Sequence, residues 1–140
     1  MATKAVRHLV LDNEAVAALL STTPTDARRA RVIAAIAAAN GRRWVPTAVR
    51  VEAGGDRTVS TAAGANRHGI LDAPLDATGA NRAVRLRAHV AKASVVDATV
   101  AVVAELIGQD GNVVEVLTSD VADMGALGQH VAATFDVRHV

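Results

Sequence analysis

The sequence predicts an α/β fold in which helices cover both faces of a mostly parallel sheet. Short apolar runs alternate with helical patterns along the chain. The apolar runs do not alternate with polar residues, which is typical of parallel strands buried on both faces. The 140 residues, 51% of them hydrophobic, fit one compact domain over residues 1–140.

Each element rests on a local pattern. The predicted strands are apolar or β-branched runs, at residues 8–11, 44–45, 70–71, 113–118 and, as an edge strand, 135–140. The predicted helices carry apolar residues at helical spacing, at residues 14–20, 26–39, 47–53, 59–67, 76–92, 96–107 and 121–129.

Capping and breaking residues set the predicted ends of these elements. Thr23-Pro24-Thr25-Asp26 indicates a helix start, with Thr23 as the cap and Asp26 at the third helical position. Asn40-Gly41 would end that helix in a left-handed conformation. Thr47 is predicted to cap the next helix, which Gly54-Gly55 breaks. Asp110-Gly111 predicts a turn before the clearest strand.

The composition excludes several kinds of site. Without cysteine, disulfides, thiolate metal sites and cysteine nucleophiles are ruled out. The five histidines are scattered, and none forms a pair with zinc-ligand spacing. A net charge of +1 argues against nucleic-acid binding through bulk charge, and the scarcity of aromatic residues argues against a base-stacking platform. With no signal peptide and no long apolar stretch, we expect a cytoplasmic protein without membrane contact.

Acidic residues follow two predicted strands, Asp12 after the first and Asp120 after the clearest one. Ligand sites gather at the carboxyl ends of parallel strands, so these acids should share one edge of the sheet. Glu52 and Asp97 stand in otherwise apolar helical segments, where an acid is unfavourable unless it is paired or metal-bound. Taken singly, Asp12 and Asp120 are more simply explained as helix caps or turn formers, and Asp97 is equally well explained as a capping acid that favours the helix dipole.

If these four acids converge, their mutual repulsion calls for a counter-ion. Carboxylate oxygens and water are the ligands that Mg²⁺ and Mn²⁺ prefer. Such an ion polarises phosphate and acidifies bound water. Metal-assisted hydrolysis is therefore the chemistry that this set of residues supplies best.

Four segments resemble the PIN domain and, within it, the VapC-type toxins of toxin–antitoxin pairs. They occur in the family's order and span almost the whole chain, at Leu9–Asp12, Val45–Glu52, Val95–Ala101 and Leu117–Met124. The resemblance implies a PIN-like three-layer α/β/α sandwich with a mostly parallel central sheet of four or five strands. It also implies a Mg²⁺- or Mn²⁺-dependent endoribonuclease that hydrolyses RNA phosphodiester bonds, a homodimer, and a small cognate antitoxin.

The resemblance also implies a role for each acid. Asp12 and Asp97 would be direct metal ligands. Glu52 would hold the metal's water or position the nucleophile. Asp120, together with Asp123, would bind a second ion or orient the attacking water.

Thr118 and Ser119 would hydrogen-bond the acids and the scissile phosphate, again by resemblance. The chain departs from the family at Glu14, because the family commonly has a small hydroxyl residue there. Glu14 is either an extra ligand or a residue that points away. It leaves open an alternative function, a catalytically inactive PIN-like binding module. A weaker alternative is a phosphoryl-transfer enzyme with Asp12 as its nucleophile.

Basic residues recur at helical spacing in the predicted helix over residues 76–92. Arg82, Arg85, His89 and Lys92 would share one face there. The simpler interpretation is a solvated helix face. The functional one is contact between Arg82, Arg85 or Lys92 and the phosphates of RNA, which would hold the substrate without reading its sequence.

Overall fold

The computed structural model describes residues 5–21, 23, 25–54, 68–109 and 111–140. Within these ranges one five-stranded sheet is formed by β1 (Arg7–Leu11), β2 (Arg43–Pro46), β3 (Ile70–Ala73), β4 (Val113–Thr118) and β5 (Asp136–His139). The helices are α1 (Asn13–Leu20), α2 (Ala27–Ala38), α3 (Thr47–Ala53), α4 (Ala77–His89), α5 (Val95–Gly108) and α6 (Val121–Gly128). The strand order is β3-β2-β1-β4-β5, and every neighbouring pair is parallel. The predicted α/β class and parallel sheet are confirmed.

Helices cover both faces of this sheet. The chain moves from β1 through β2 to β3, then returns across the sheet to β4 and β5. Because parallel crossovers are right-handed, the two directions of travel put their helices on opposite faces. The packing agrees, since α1 contacts α2 and α3, whereas α5 contacts α4 and α6. The direction changes between β1 and β4, which makes the gap between their carboxyl ends the topological switch point.

The core is built from small aliphatic side chains. Leu9, Val10 and Leu11 of the central strand are fully buried, and the neighbouring strand contributes Val116 and Leu117. Helix α5 is buried from Asp97 through Glu105, as expected of a helix that is apolar on nearly every side. A carboxylate at either end of that buried run therefore lies where solvent is scarce.

The start of α2 differs from the prediction. Asp26 is the cap, and its Oδ1 accepts hydrogen bonds from the backbone N–H groups of Arg28 and Arg29, at 2.9 and 3.2 Å. The predicted cap at Thr23 and the predicted third helical position for Asp26 are both wrong. An aspartate at the cap can satisfy two free N–H groups at once, which explains why the helix starts there.

The end of α2 also differs from the prediction. The helix ends at Ala38 and is followed by extended Ala39, and Gly41 does not adopt a positive φ. Instead, the Gly41 N–H donates to the Arg7 carbonyl oxygen at 2.9 Å, and a Cβ on Gly41 would lie 2.5 Å from that oxygen. Glycine is needed at this position because the backbone of β1 passes so close.

Other predicted ends shift by a few residues. Pro46 occupies the cap position of α3 without a side-chain bond, so Thr47 is the first helical residue. Gly54 ends α3 at φ 73°, as predicted. Helix α4 ends at His89, before Lys92. The predicted helix at residues 59–67, together with Pro24, Gly55 and Asp110, lies outside the described residues. Across the residues described, the helices are all too short or too polar to cross a membrane.

Candidate metal centre

Asp12 stands at the carboxyl end of β1, beside the switch point. It occupies the cap position of α1, and its Oδ1 accepts a hydrogen bond from the Asn13 N–H at 2.7 Å. Its other oxygen, Oδ2, accepts one from the Thr118 hydroxyl at 2.6 Å. Its backbone N–H donates to the Leu117 carbonyl oxygen at 3.0 Å. The carboxylate is thus fixed from two directions.

Thr118 links the two strand ends. Its buried hydroxyl donates to Asp12 and accepts a hydrogen bond from the Asp120 N–H at 2.9 Å. One side chain therefore fixes both the β1 carboxylate and the loop that carries Asp120. Asp120 takes the cap position of α6, yet its side chain makes no capping hydrogen bond. Its carboxyl group is instead turned to the Asp97 side chain, with which it shares a hydrogen bond.

A third acidic residue, Asp97, comes from the first turn of α5. The Ser94 hydroxyl caps this helix and accepts a hydrogen bond from the Asp97 N–H at 3.0 Å, which leaves the buried Asp97 carboxyl uncommitted to capping. Asp97, Asp120 and Asp123 each place a carboxylate oxygen within 4.8 Å of the other two. That spacing suits a single cation held by oxygen ligands.

These side chains line one cleft of about 350 Å³. It is walled largely by carboxylates, and its lining consists of Asp12, Asn13, Glu14, Glu52, Lys92, Ser94, Asp97, Ser119, Asp120 and Asp123. The four acids singled out from the sequence, at positions 12, 52, 97 and 120, therefore line the same cleft.

The cleft has more carboxylates than positive charges to balance them. Burial, the nearby Asp12 charge, and the hydrogen bond and charge of Asp120 raise the pKa of Asp97 to about 7. Burial also raises the pKa of Asp12, although the hydrogen bonds from Thr118 and Asn13 oppose that shift. Holding these carboxyl groups ionised together is unfavourable without a cation.

The remaining acids occupy the outer part of the cleft. Glu52 projects from α3 and is solvent-exposed. Glu14 also lines the cleft, but its Oε2 forms an ion pair with Nη1 of Arg28 at 2.6 Å. Arg28 belongs to α2, so the unusual acid at position 14 is paired with a neighbouring helix. Ser119 is exposed at the cleft wall.

Of the three predicted phosphate contacts, Lys92 lines the cleft, whereas Arg82 and Arg85 are not among its lining residues. Arg82 donates hydrogen bonds from Nε and Nη2 to the Glu105 carboxylate, at 3.0 and 2.9 Å. Its Nη2 also donates to the His130 carbonyl oxygen at 2.7 Å. Nε and Nη2 of its guanidinium are therefore already bound within the fold, which makes Arg82 a weaker candidate for the predicted phosphate contact. Arg85 is exposed on α4 and is not among the residues that line the cleft. Lys92 lies beyond the end of α4 and does line it. The predicted common face is wrong because the helix stops at His89.

Two residues of the cleft were missed from the sequence, Ser94 and Asn13. Ser94 could have been found, because a serine three positions before Asp97 has the spacing of a helix cap. Asn13 carries no comparable signal, since it contributes a backbone N–H that any residue could provide.

Comparison with known proteins bears on the fold. Neither a family model nor a curated protein matches the sequence. Among solved structures, the chain is similar to one described as VapBC2 from Rickettsia felis bound to a DNA fragment from their promoter. The match has a TM-score of 0.58 and 10% sequence identity, and covers 95% of this chain and 98% of that one. It supports the PIN-like α/β fold over nearly the whole chain.

Proposed function

We propose that the protein is a metal-dependent endoribonuclease of the PIN type and the toxin of a VapBC-type toxin–antitoxin pair. The observation that carries the proposal is the meeting of Asp97, Asp120 and Asp123 within 4.8 Å, beside Asp12, at the switch point of a parallel sheet. Binding sites of open α/β sheets lie at such points.

The residues present fit a hard divalent cation. The donors are carboxylate oxygens, which Mg²⁺ and Mn²⁺ prefer over softer metals. Asp12 and Asp97 are proposed as direct ligands, with Asp120 and Asp123 holding a second ion or a water. Glu52, at the outer wall, is proposed to act through water. The raised pKa of Asp97 supports this assignment, because a bound cation would offset both the burial and the repulsion from Asp12 and Asp120 that raise it.

The proposed reaction is hydrolysis of an RNA phosphodiester. A bound divalent cation would polarise the phosphate, and it would acidify a bound water so that hydroxide forms near neutral pH. The oxygen of water would bond to phosphorus as the bond from phosphorus to the leaving ribose oxygen breaks. One proton of that water would pass to a carboxylate, and the leaving oxygen would take a proton from solvent water. Asp120 is proposed to receive the proton of the attacking water, because its side chain does not cap α6 and lies beside Asp97 in the acidic cluster. Thr118 positions Asp12 and the Asp120 loop through its two hydrogen bonds.

An antitoxin partner follows from the same proposal. The structural neighbour is described as VapBC2 on promoter DNA. We propose that a small antitoxin covers this chain's acidic cleft with its C-terminal segment, and that the chain acts in the cytoplasm as a homodimer. Mixing the purified protein with the product of a short neighbouring gene should abolish cleavage if that gene encodes the antitoxin.

The first test is RNA cleavage by the purified protein. We expect cleavage with Mg²⁺ or Mn²⁺ and none with EDTA. Asp97→Asn should lower the rate on the order of 10²–10³-fold, the size seen when a group that stabilises transition-state charge is lost. Asp136→Asn is the matched control, because it removes one carboxylate from an exposed position on β5. Equal rates for Asp97→Asn and the parent would disprove the proposed roles.

Metal titration followed by thermal unfolding distinguishes the nuclease from an inactive PIN-like module. A cation that binds only the folded site raises the melting temperature. We expect Mn²⁺ to raise it for the parent and for Asp136→Asn, with little effect on Asp97→Asn. A parent that shows neither a shift nor cleavage would favour the inactive module.

A further inference from the structure

Lys92 is a cation set into the wall of an otherwise acidic cleft. It lies between α4 and α5, in the segment that leads to the Ser94 cap. The exposed Lys92 side chain shares the cleft lining with Asp12, Asp97 and Asp120. A positive charge there attracts any anion that enters the cleft.

The backbone around Lys92 is held on both sides. The Ala93 N–H donates to the Val90 carbonyl oxygen at 3.0 Å, and the Ala93 carbonyl oxygen accepts a hydrogen bond from Arg87 Nε at 3.2 Å. Ala93 itself is buried, and Ser94 is fixed by its bond to the Asp97 N–H. The lysine therefore projects from a defined position at the cleft wall.

Among the described residues, Lys92 forms no ion pair with the acids of the cleft. Within the part of the chain that the structure describes, its ammonium makes no ion pair within 4.0 Å and no side-chain hydrogen bond. The nearby arginines differ, because Arg82 is bound to Glu105 and Arg28 to Glu14. Of the described residues that line the cleft, Lys92 alone is basic.

We propose that Lys92 binds a non-bridging oxygen of the RNA phosphate that enters the metal centre. This inference rests on the proposed function. A phosphodiester approaching a ring of carboxylates is repelled, and the cation at the centre offsets that repulsion only in part. A lysine at the wall supplies a further positive charge, and its ammonium acts on phosphate as a point charge that needs no fixed orientation.

The test compares Lys92→Met, Lys92→Arg and Arg42→Met. Arg42 is exposed and precedes β2, so the control removes one positive charge at the opposite edge of the sheet. With Mg²⁺ and a short RNA, Lys92→Met should lower kcat/KM about tenfold, the size of one lost bond to a charged group. It should also reduce the slope of log KM against log salt concentration by about one, the change expected when one phosphate contact is lost. Lys92→Arg should retain most activity, and Arg42→Met should stay within about twofold.

Metal affinity provides the second measurement. Lys92→Met removes a positive charge from an acidic cleft. The Mn²⁺ concentration that gives half of the full rise in melting temperature should therefore stay the same or fall. A higher Mn²⁺ requirement for Lys92→Met would overturn the proposal, because the activity loss would then follow from lost metal. An unchanged kcat/KM, or an equal loss in Arg42→Met, would also overturn it.

RNA binding separates this inference from the proposed function. Fluorescence anisotropy with labelled RNA and Ca²⁺ measures binding whether or not the RNA is cut. If the parent binds RNA in Ca²⁺ but does not cut it in Mg²⁺ or Mn²⁺, and Lys92→Met binds about tenfold more weakly, the phosphate contact stands and the nuclease proposal fails. If the parent does not bind, or Lys92→Met binds equally well, the contact at Lys92 is refuted.

Discussion

Asp97 lies at the point where the requirements of folding conflict with those of the proposed metal site. It is buried at the start of α5, and Asp12 and Asp120 are close enough for their charges to act on it. Its pKa of about 7 means that, without a cation, the folded chain keeps this carboxyl protonated up to neutral pH. A site built to bind Mg²⁺ or Mn²⁺ would show this behaviour when empty of metal.

This conflict predicts a stabilising substitution. The pKa of Asp97 is raised from 3.8 to about 7 on folding, so the unfolded chain ionises first and stability falls as pH rises between those values. Asp97→Asn does not ionise and escapes the penalty. In EDTA, urea unfolding should show a gain of about 4 kcal/mol near pH 8 and less than about 1 kcal/mol near pH 4. A loss of stability near pH 8 would contradict this account.

Two glycines show how the same residue serves different purposes in two elements. Gly41 lies against β1, where a Cβ would come within 2.5 Å of the Arg7 carbonyl oxygen. Gly125 lies within α6, and a Cβ there would meet no atom within 4 Å. The first glycine is required by a close backbone approach, whereas the second only lowers helix propensity.

The two alanine variants should therefore change stability in opposite directions. Gly41→Ala should destabilise the protein by roughly 2 kcal/mol or more, because a backbone oxygen cannot move away as a side chain can. Gly125→Ala should stabilise it by about 0.5–1 kcal/mol. Urea unfolding of both variants measures this. If Gly41→Ala were as stable as the parent, β1 and the segment before β2 would be farther apart than described here.

At the scale of the whole molecule, the acidic cleft and the Arg82–Glu105 pair lie at different levels of α5. Glu105 follows Asp97 by about 12 Å along the helix axis. Its buried carboxylate binds Arg82 of α4 and accepts a hydrogen bond from the Ala132 N–H at 2.6 Å. The pair thus ties α4, α5 and the segment after α6 together, below the cleft.

Breaking that pair should weaken the whole domain. Arg82→Met leaves the buried Glu105 charge without its main partner, which costs about 3 kcal/mol near pH 7. The Arg82 hydrogen bond lowers the pKa of Glu105 from 4.5, so its contribution is present above that pH and is lost as the pH falls below it. The difference in unfolding free energy between parent and variant should shrink in acid. The double variant Arg82→Met with Glu105→Leu should recover part of the loss, and an equally large loss in the double variant would contradict this interpretation.

The fold and the shared position of Asp12 and Asp120 at the cleft could be predicted because their signals are local. Apolar runs and helical spacing indicate the strands and helices, and Asp12 and Asp120 directly follow strands. Parallel strands bring such positions to one edge of a sheet whatever the intervening sequence. The ends of α2 were predicted less well, because the choice of cap and the role of Gly41 depend on neighbouring backbone.

The sequence by itself determined the fold class and which acids stand at the ends of strands and at the start of α5. Only the tertiary structure decided which charged side chains form ion pairs and which do not. Arg82 is taken by Glu105 and Glu14 by Arg28, whereas Lys92 faces the cleft unpaired among the described residues. Thr118 meets Asp12 across 106 positions of sequence. Partners so far apart carry no local pattern, because an ion pair or hydrogen bond depends on distance in space.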